Sequence, residues 1–245
     1  MSLKGTKAEK ERNIFEQLPS TDEINLRLAA VETANGKYSN AYEYLKQVEK
    51  PEALSETQQI ERVHLVATIM DKKGESEVAT RYLLELIKTW KGLPELVAEP
   101  YMFLGQLEQK MGKTEDAIKS FEKVNELMED SEKVNAATHA KALEILGNIY
   151  FDKGDKLKAK NYYEKLLAKY ENAKPLASIR YRVGQIHFEK GEIQKAADVW
   201  QELKSGKTSE FWYKLAQEQL KSSDWKDEYK RYIRRIPAMS ERPSK

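Results

Sequence analysis

The side chains in this 245-residue sequence best suited to proton transfer or metal binding are three histidines, His64, His139 and His187. None is followed by a second metal-ligand residue at i+3 or i+4, the spacing a helix-borne metal site uses. Adjacent acids occur at Glu115–Asp116 and Glu129–Asp130. Neighbours in sequence point to different sides of a helix, so these pairs read as solvated surface charge. Catalysis requires titratable groups that converge in a shared, perturbed environment. No HExxH, GxGxxG or GxxxxGK[ST] pattern is present, and the absence of Cys removes thiolate zinc sites and a Cys nucleophile. The sequence therefore argues for a non-enzymatic protein with no cofactor and no small-molecule substrate.

Composition narrows the rest. Lys and Arg total 42 against 40 Asp and Glu, so no overall basic field calls for nucleic acid or a membrane surface. Membrane contact would come only through an associated partner. Abundant Ala, Leu, Glu and Lys with few Gly and Pro favour helix. The one basic stretch is 226–245, KDEYKRYIRRIPAMSERPSK, where Lys226, Lys230 and Arg234 share a stripe beside Arg231 and Arg235. As a contact surface it would suit RNA or anionic lipid. As structure it is a capping helix with Tyr229, Ile233 and Ile236 inward and cations at its negative end, and the neutral remainder of the chain favours that reading.

A hexapeptide skeleton, Gly followed five positions later by Ala, organises the chain. It occurs as GKYSNA (36–41), GESEVA (74–79), GKTEDA (112–117), GDKLKA (154–159) and GEIQKA (191–196), at glycine intervals of 38, 38, 42 and 37 residues. In the fourth copy Leu143, Leu146, Gly147 and Tyr150 form one stripe of a helix. Gly154 ends that helix, because a residue without Cβ enters the left-handed C-cap cheaply. Ala159, Tyr163, Leu166 and Tyr170 then share a face of a second helix, with a small Ala where the two must approach. The unit is an antiparallel helix pair. Ser20 with Glu23, and Ser55 with Gln58, have capping-box spacing at helix starts.

These residues resemble the tetratricopeptide repeat, with its L-G-x2-Y run, a later A-x3-F, and a period near 34. The third copy carries Leu104, Gly105, Gly112, Ala117 and Phe121, with Glu108 at the aromatic position. The fifth has Val183, Gly184, Gly191, Ala196 and Trp200, with His187 at that position. The second offers Val66, Ala67, Met70, Gly74, Ala79 and Leu83; the first, Leu28, Ala29, Gly36, Ala41 and Leu45, with Glu32 for the aromatic. Eight of the eleven glycines occupy the two glycine positions of the pattern. A degenerate sixth unit begins FWYKLAQEQL, with Trp212, Leu215 and Ala216. The longer periods imply lengthened helices or loops, above all at 125–139.

The resemblance implies an all-α, right-handed α-α superhelix of about five helix hairpins with a degenerate C-terminal capping hairpin. Its divisions would be a leader and short helix (1–20), repeats (21–208), the cap (209–236) and a tail (237–245). NIFEQLP (13–19) resembles the second helix of a preceding unit. The resemblance further implies a protein or peptide partner held on a concave face lined by the first helix of each pair. Carried onto this chain, that face presents His64, Thr68, Met102, Phe103, Gln106, Lys141, Glu144, Asn148, Tyr181, Arg182, Gln185, Phe188, Tyr213 and Gln217. The carboxylate clamp of chaperone-binding members is not matched: Leu26, Ala30, His64 and Thr68 stand at its positions in the first two units, and only Asn148 and Arg182 are of suitable type. Residues 169–203 also resemble repeats of bacterial envelope proteins, which implies a periplasmic or cytoplasmic assembly or motility accessory. The rival expectations are a regulatory repeat region of a larger protein, and an adaptor working through the basic tail.

Overall fold

The computed structural model describes residues 18–130, 135–171, 176–205 and 209–222, together with Arg231. Every regular element among them is helical. The chain falls into two compact units, Met1–Ala142 and Leu143–Lys245.

The first unit holds α1 (Thr21–Ala34), α2 (Tyr38–Lys46), a 3-10 turn at Pro51–Ala53, α3 (Glu56–Lys72), α4 (Ser76–Thr89), α5 (Pro94–Lys110) and α6 (Thr114–Asp130). Helix α7 (Ala136–Asp152) runs across the border between the units. The second unit continues with α8 (Lys156–Tyr170), α9 (Ala177–Glu189), α10 (Ile193–Gln201) and a 3-10 turn at Glu202–Ser205. Residues 210–222 are also helical and form α11. Within the first unit consecutive helices pack as hairpins, α1 on α2, α3 on α4 and α5 on α6, and each hairpin packs on the next. In the second unit α9 pairs with α10 and packs on α8. Within the 42-residue interval α6 reaches 17 residues, against 14 in α4, while α7 keeps the 17 residues of α3 and α5.

Local sequence dictates these boundaries. Ser20 and Ser55 both close the reciprocal capping box with Glu23 and Gln58, satisfying donors that a helix start leaves open. Gly154 takes φ +82° between α7 and α8, the left-handed turn expected of it. Ala41, Ala79, Ala117, Ala159 and Ala196 are all completely buried at the hairpin crossings. One turn further on the same face of each second helix lie Leu45, Leu83, Phe121, Tyr163 and Trp200, the residues that fill the hairpin interior.

The substitutions at the aromatic position are each accommodated by a polar partner. Glu108 accepts a hydrogen bond from the Ser120 hydroxyl at 2.7 Å. Glu32 accepts from Asn40 at 3.2 Å. His187 is buried, with Nδ1 2.5 Å from a Glu192 carboxylate oxygen, which fits the packing role its position implies. Leu28 differs from its counterparts: it is 38% exposed, and Leu26, two residues earlier and on the other side of the helix, is buried instead.

Candidate functional site

In the first unit, α3, α5 and α7 bring one polar residue each to a common point. The Glu99 carboxylate accepts from the Thr138 hydroxyl through Oε1, and Oε2 lies 3.1 Å from His64 Nε2. Three successive first helices are thereby tied together. Burial pushes the Glu99 carboxyl up, but the hydrogen bonds from His64 and Thr138 outweigh it and hold the group below the usual carboxylate range. The His64 ring meets Phe103 edge-on, with centroids 4.2 Å apart.

One turn further along the same helices lies a cleft of about 260 Å³ between α3 and α5. Ala67 and Leu107 line it together with the half-buried Phe103, and Thr68 and the exposed Gln106 present polar groups to it. Asp71 and Lys110 close one end through a salt bridge at 2.8 Å, with Ser76 donating to the same carboxylate. Burial raises the Asp71 carboxyl, and Lys110 and Ser76 bring it net below its ordinary value. The cleft combines an aromatic wall with amide, hydroxyl and charged groups, the pairing of surfaces that orients an extended chain. As chemistry it offers little. The Thr138 hydroxyl donates to Glu99 rather than being activated by His64, so no nucleophile and base are paired there. Among the described residues, no cluster of three or more His, Asp or Glu is arranged to hold a metal ion.

In the second unit, Arg182 of α9 reaches α7 and α8. Its Nη1 donates to Asn148 Oδ1 at 2.9 Å and to the Tyr163 hydroxyl at 3.0 Å. The same hydroxyl donates to Asn148 Oδ1 at 2.8 Å, closing a three-membered network. The guanidinium also stands 5.0 Å from the centroid of the Phe151 ring. Gln185 donates to Glu189 one turn on.

The sequence-derived groove set thus divides. His64, Phe103 and Gln106 are brought together on one face of the first unit, and Asn148, Arg182 and Gln185 lie on first helices of the second. Met102 and Tyr181 are corrections: both are buried, Met102 at 5% and Tyr181 at 6% exposure. Tyr181 stacks on Trp200 at 5.7 Å and lies against Trp212 at 5.2 Å, so its ring fills the space between hairpins instead of facing a partner. Tyr213 is half-buried against the same aromatic cluster. Glu99 was absent from the set, although it stands five residues before Leu104 as Lys141 stands five before Leu146. The basic stripe of the C-terminal stretch lies outside the described residues, apart from the exposed Arg231. No helix among the described residues is long and apolar enough to cross a membrane.

Fold and face together define an all-α protein of helix hairpins, with polar and aromatic side chains exposed on first helices within each unit. Two family descriptions of the tetratricopeptide repeat match, over residues 96–172 and 144–210. Over residues 96–210 the chain carries tetratricopeptide repeats. It is similar to the Protein CTR9 homolog of Arabidopsis thaliana, 32% identical over 93 residues, which is 38% of this chain and 8% of that protein. Among solved structures it is similar to BtubC (BKLC) from P. vanneervenii, with a TM-score of 0.60 and 18% identity, covering 89% of this chain and 87% of the other. It is also similar to TPR-like repeats of a putative kinesin light chain from Podosopora anserina, with a TM-score of 0.55 and 17% identity, covering 82% and 97%. At these identities the structural likeness speaks for the fold.

Proposed function

We propose that the chain is a non-enzymatic interaction scaffold that holds an extended peptide segment of a protein partner along the first-helix face of its first unit. The observation that carries this reading is the cleft between α3 and α5, walled by Phe103 and rimmed by Thr68, Gln106 and the Asp71–Lys110 pair. A partner's apolar side chain would sit against Phe103 and Leu107. Gln106 and Thr68 would meet its backbone amides, which need donors and acceptors once water is excluded. The Glu99 bridge to His64 and Thr138 fixes the spacing of α3, α5 and α7 beforehand, which lowers the ordering cost of binding. Asn148, Arg182 and Gln185 extend the same proposal to the second unit.

The test is selection from a displayed library of random dodecapeptides, using the full chain and its Gln106→Arg variant. Gln106 is exposed, so the longer side chain fills the cleft mouth without entering the core. Peptides enriched by the chain should lose at least tenfold in affinity for the variant, with thermal unfolding unchanged. Equal enrichment by both proteins would sink the groove reading. A second reading, that the repeats serve as a regulatory region within a larger protein, is supported by the match to 8% of the plant protein's length.

A further inference from the structure

Arg62 lies on α3 roughly 200° round the helix from His64, two residues away at 100° per residue, and so on a different side from the cleft described above. It is half-buried. One hydrogen bond leaves it, from Nη1 to the Tyr82 hydroxyl at 3.0 Å. Its Nε–H is enclosed and meets no acceptor. No carboxylate among the described residues lies within ion-pair distance of it, although Glu52 lines the space on one side. Half-buried guanidinium groups are ordinarily paired, because desolvating the charge and its donors without compensation is costly.

The surroundings of Arg62 explain what would complete it. It stands between two clefts and lines both. One, of about 260 Å³, is walled by Tyr42, Leu45, Val66, Met70, Val78 and Tyr82. The other, of about 180 Å³, is formed by Pro51, Gln59, Leu86 and Trp90. Lys46 and Lys73 each place an ammonium over the Tyr42 ring, at 5.4 and 5.0 Å, so the wider cleft has cations at its edge. These two are already neutralised by Glu43 and Glu75. Arg62 is the cation left over.

We infer that Arg62 and its two flanking clefts form a second binding site, on a side of the first unit away from the groove, for a protein segment bearing an Asp or Glu with a large apolar residue on each side. The carboxylate meets the guanidinium, a charge-assisted contact shortened by the partly dry setting. One apolar side chain enters between Tyr42 and Tyr82, and the other meets Trp90 and Leu86. A peptide fits this better than a fatty acid does, since a single alkyl chain fills one cleft and leaves the other open. The site is independent of the groove, and a scaffold with both engages two segments at once.

The dodecapeptide library tests it with a different variant, Arg62→Met, which keeps the apolar stem and removes the charge. Binders that survive Gln106→Arg should be enriched for an acidic residue flanked by apolar ones. A synthetic peptide of that sequence should lose at least tenfold in affinity for Arg62→Met, and again when its acid is replaced by the amide. Arg62→Lys, which retains charge but not the planar fork, should weaken binding less than Met does, and it serves where the Met variant melts early. The inference is overturned if no binder depends on Arg62, or if Arg62-dependent binders lack the acid. It is equally overturned if sodium laurate binds in an Arg62-dependent manner while no peptide does.

Discussion

The backbone of Gly105 lies directly against the ring of Phe121: a Cβ at Gly105 would stand 2.7 Å from Cε1 of that ring. The relation repeats in the later hairpins, where Gly147 faces Tyr163 and Gly184 faces Trp200. In each, an aromatic side chain of the second helix uses the room left by a missing side chain on the first. Phe121 is completely buried and cannot swing away without opening a void. The Gly105→Ala variant should therefore lose about 1–3 kcal/mol, the usual cost of overpacking, despite the better helix propensity of Ala. Urea unfolding measures it. A stabilised variant would mean that the ring has space to yield.

Glu99 and Glu108 make opposite predictions about pH. Glu99 has its carboxyl lowered in the fold, so its contribution is present above the unfolded carboxylate range and is lost as pH falls through the folded value. Glu108 is raised by burial, with Asp116 adding to the rise and the Ser120 hydrogen bond opposing it. Its folded form binds the proton more readily, so it favours folding below the ordinary carboxylate range and loses that advantage as pH rises. Stability measured from pH 3 to 7 should separate them. Glu99→Gln should be less stable than the parent at pH 7 and approach it in acid. Glu108→Gln should match the parent in acid and exceed it at pH 7. Parallel curves for both variants would contradict the two assignments.

The Arg182 network predicts coupling. Asn148, Tyr163 and Arg182 share one set of hydrogen bonds, so removing any one strands the others. A double-mutant cycle of Asn148→Ala and Arg182→Ala should show an interaction of about 0.5–3 kcal/mol rather than additive losses. Additivity would reassign Arg182 as a solvated groove cation with an incidental contact.

The hairpin interior was open to reading from the chain because its causes are local. A glycine that must take a left-handed turn, an Ala at a crossing and a capping box each leave a residue type at a fixed offset, as at Gly154, Ala159 and Ser55. The groove was harder, because facing a partner and facing the next hairpin differ by a fraction of a helical turn. Tyr181 and Arg182 are adjacent, yet one is buried between two tryptophans and the other spans three helices. Met102 and Phe103 divide in the same way. Arg62 left no signal of its own, since an isolated Arg on a helix is ordinarily solvated. Only the packing of Tyr82 and Trp90 around it sets it apart.

Trp200 offers the sharpest test of the second unit. It is completely buried, its indole N–H donates to the Tyr181 carbonyl at 2.9 Å, and its ring stacks on that same residue at 5.7 Å. Phe188 also packs on the indole, with ring centroids 5.7 Å apart. One side chain thus joins α10 to α9 by a hydrogen bond and by aromatic area. Trp200→Phe keeps most of the area and removes the donor; the Tyr181 carbonyl retains its intrahelical partner, so the loss should be about 0.5–1.5 kcal/mol. Trp200→Ala removes both and should cost about 3–5 kcal/mol. Hydrogen exchange should show α9 and α10 losing protection together in both variants. If α10 alone loosens while α9 keeps its protection, then Trp200 packs within its own helix and does not join the hairpin.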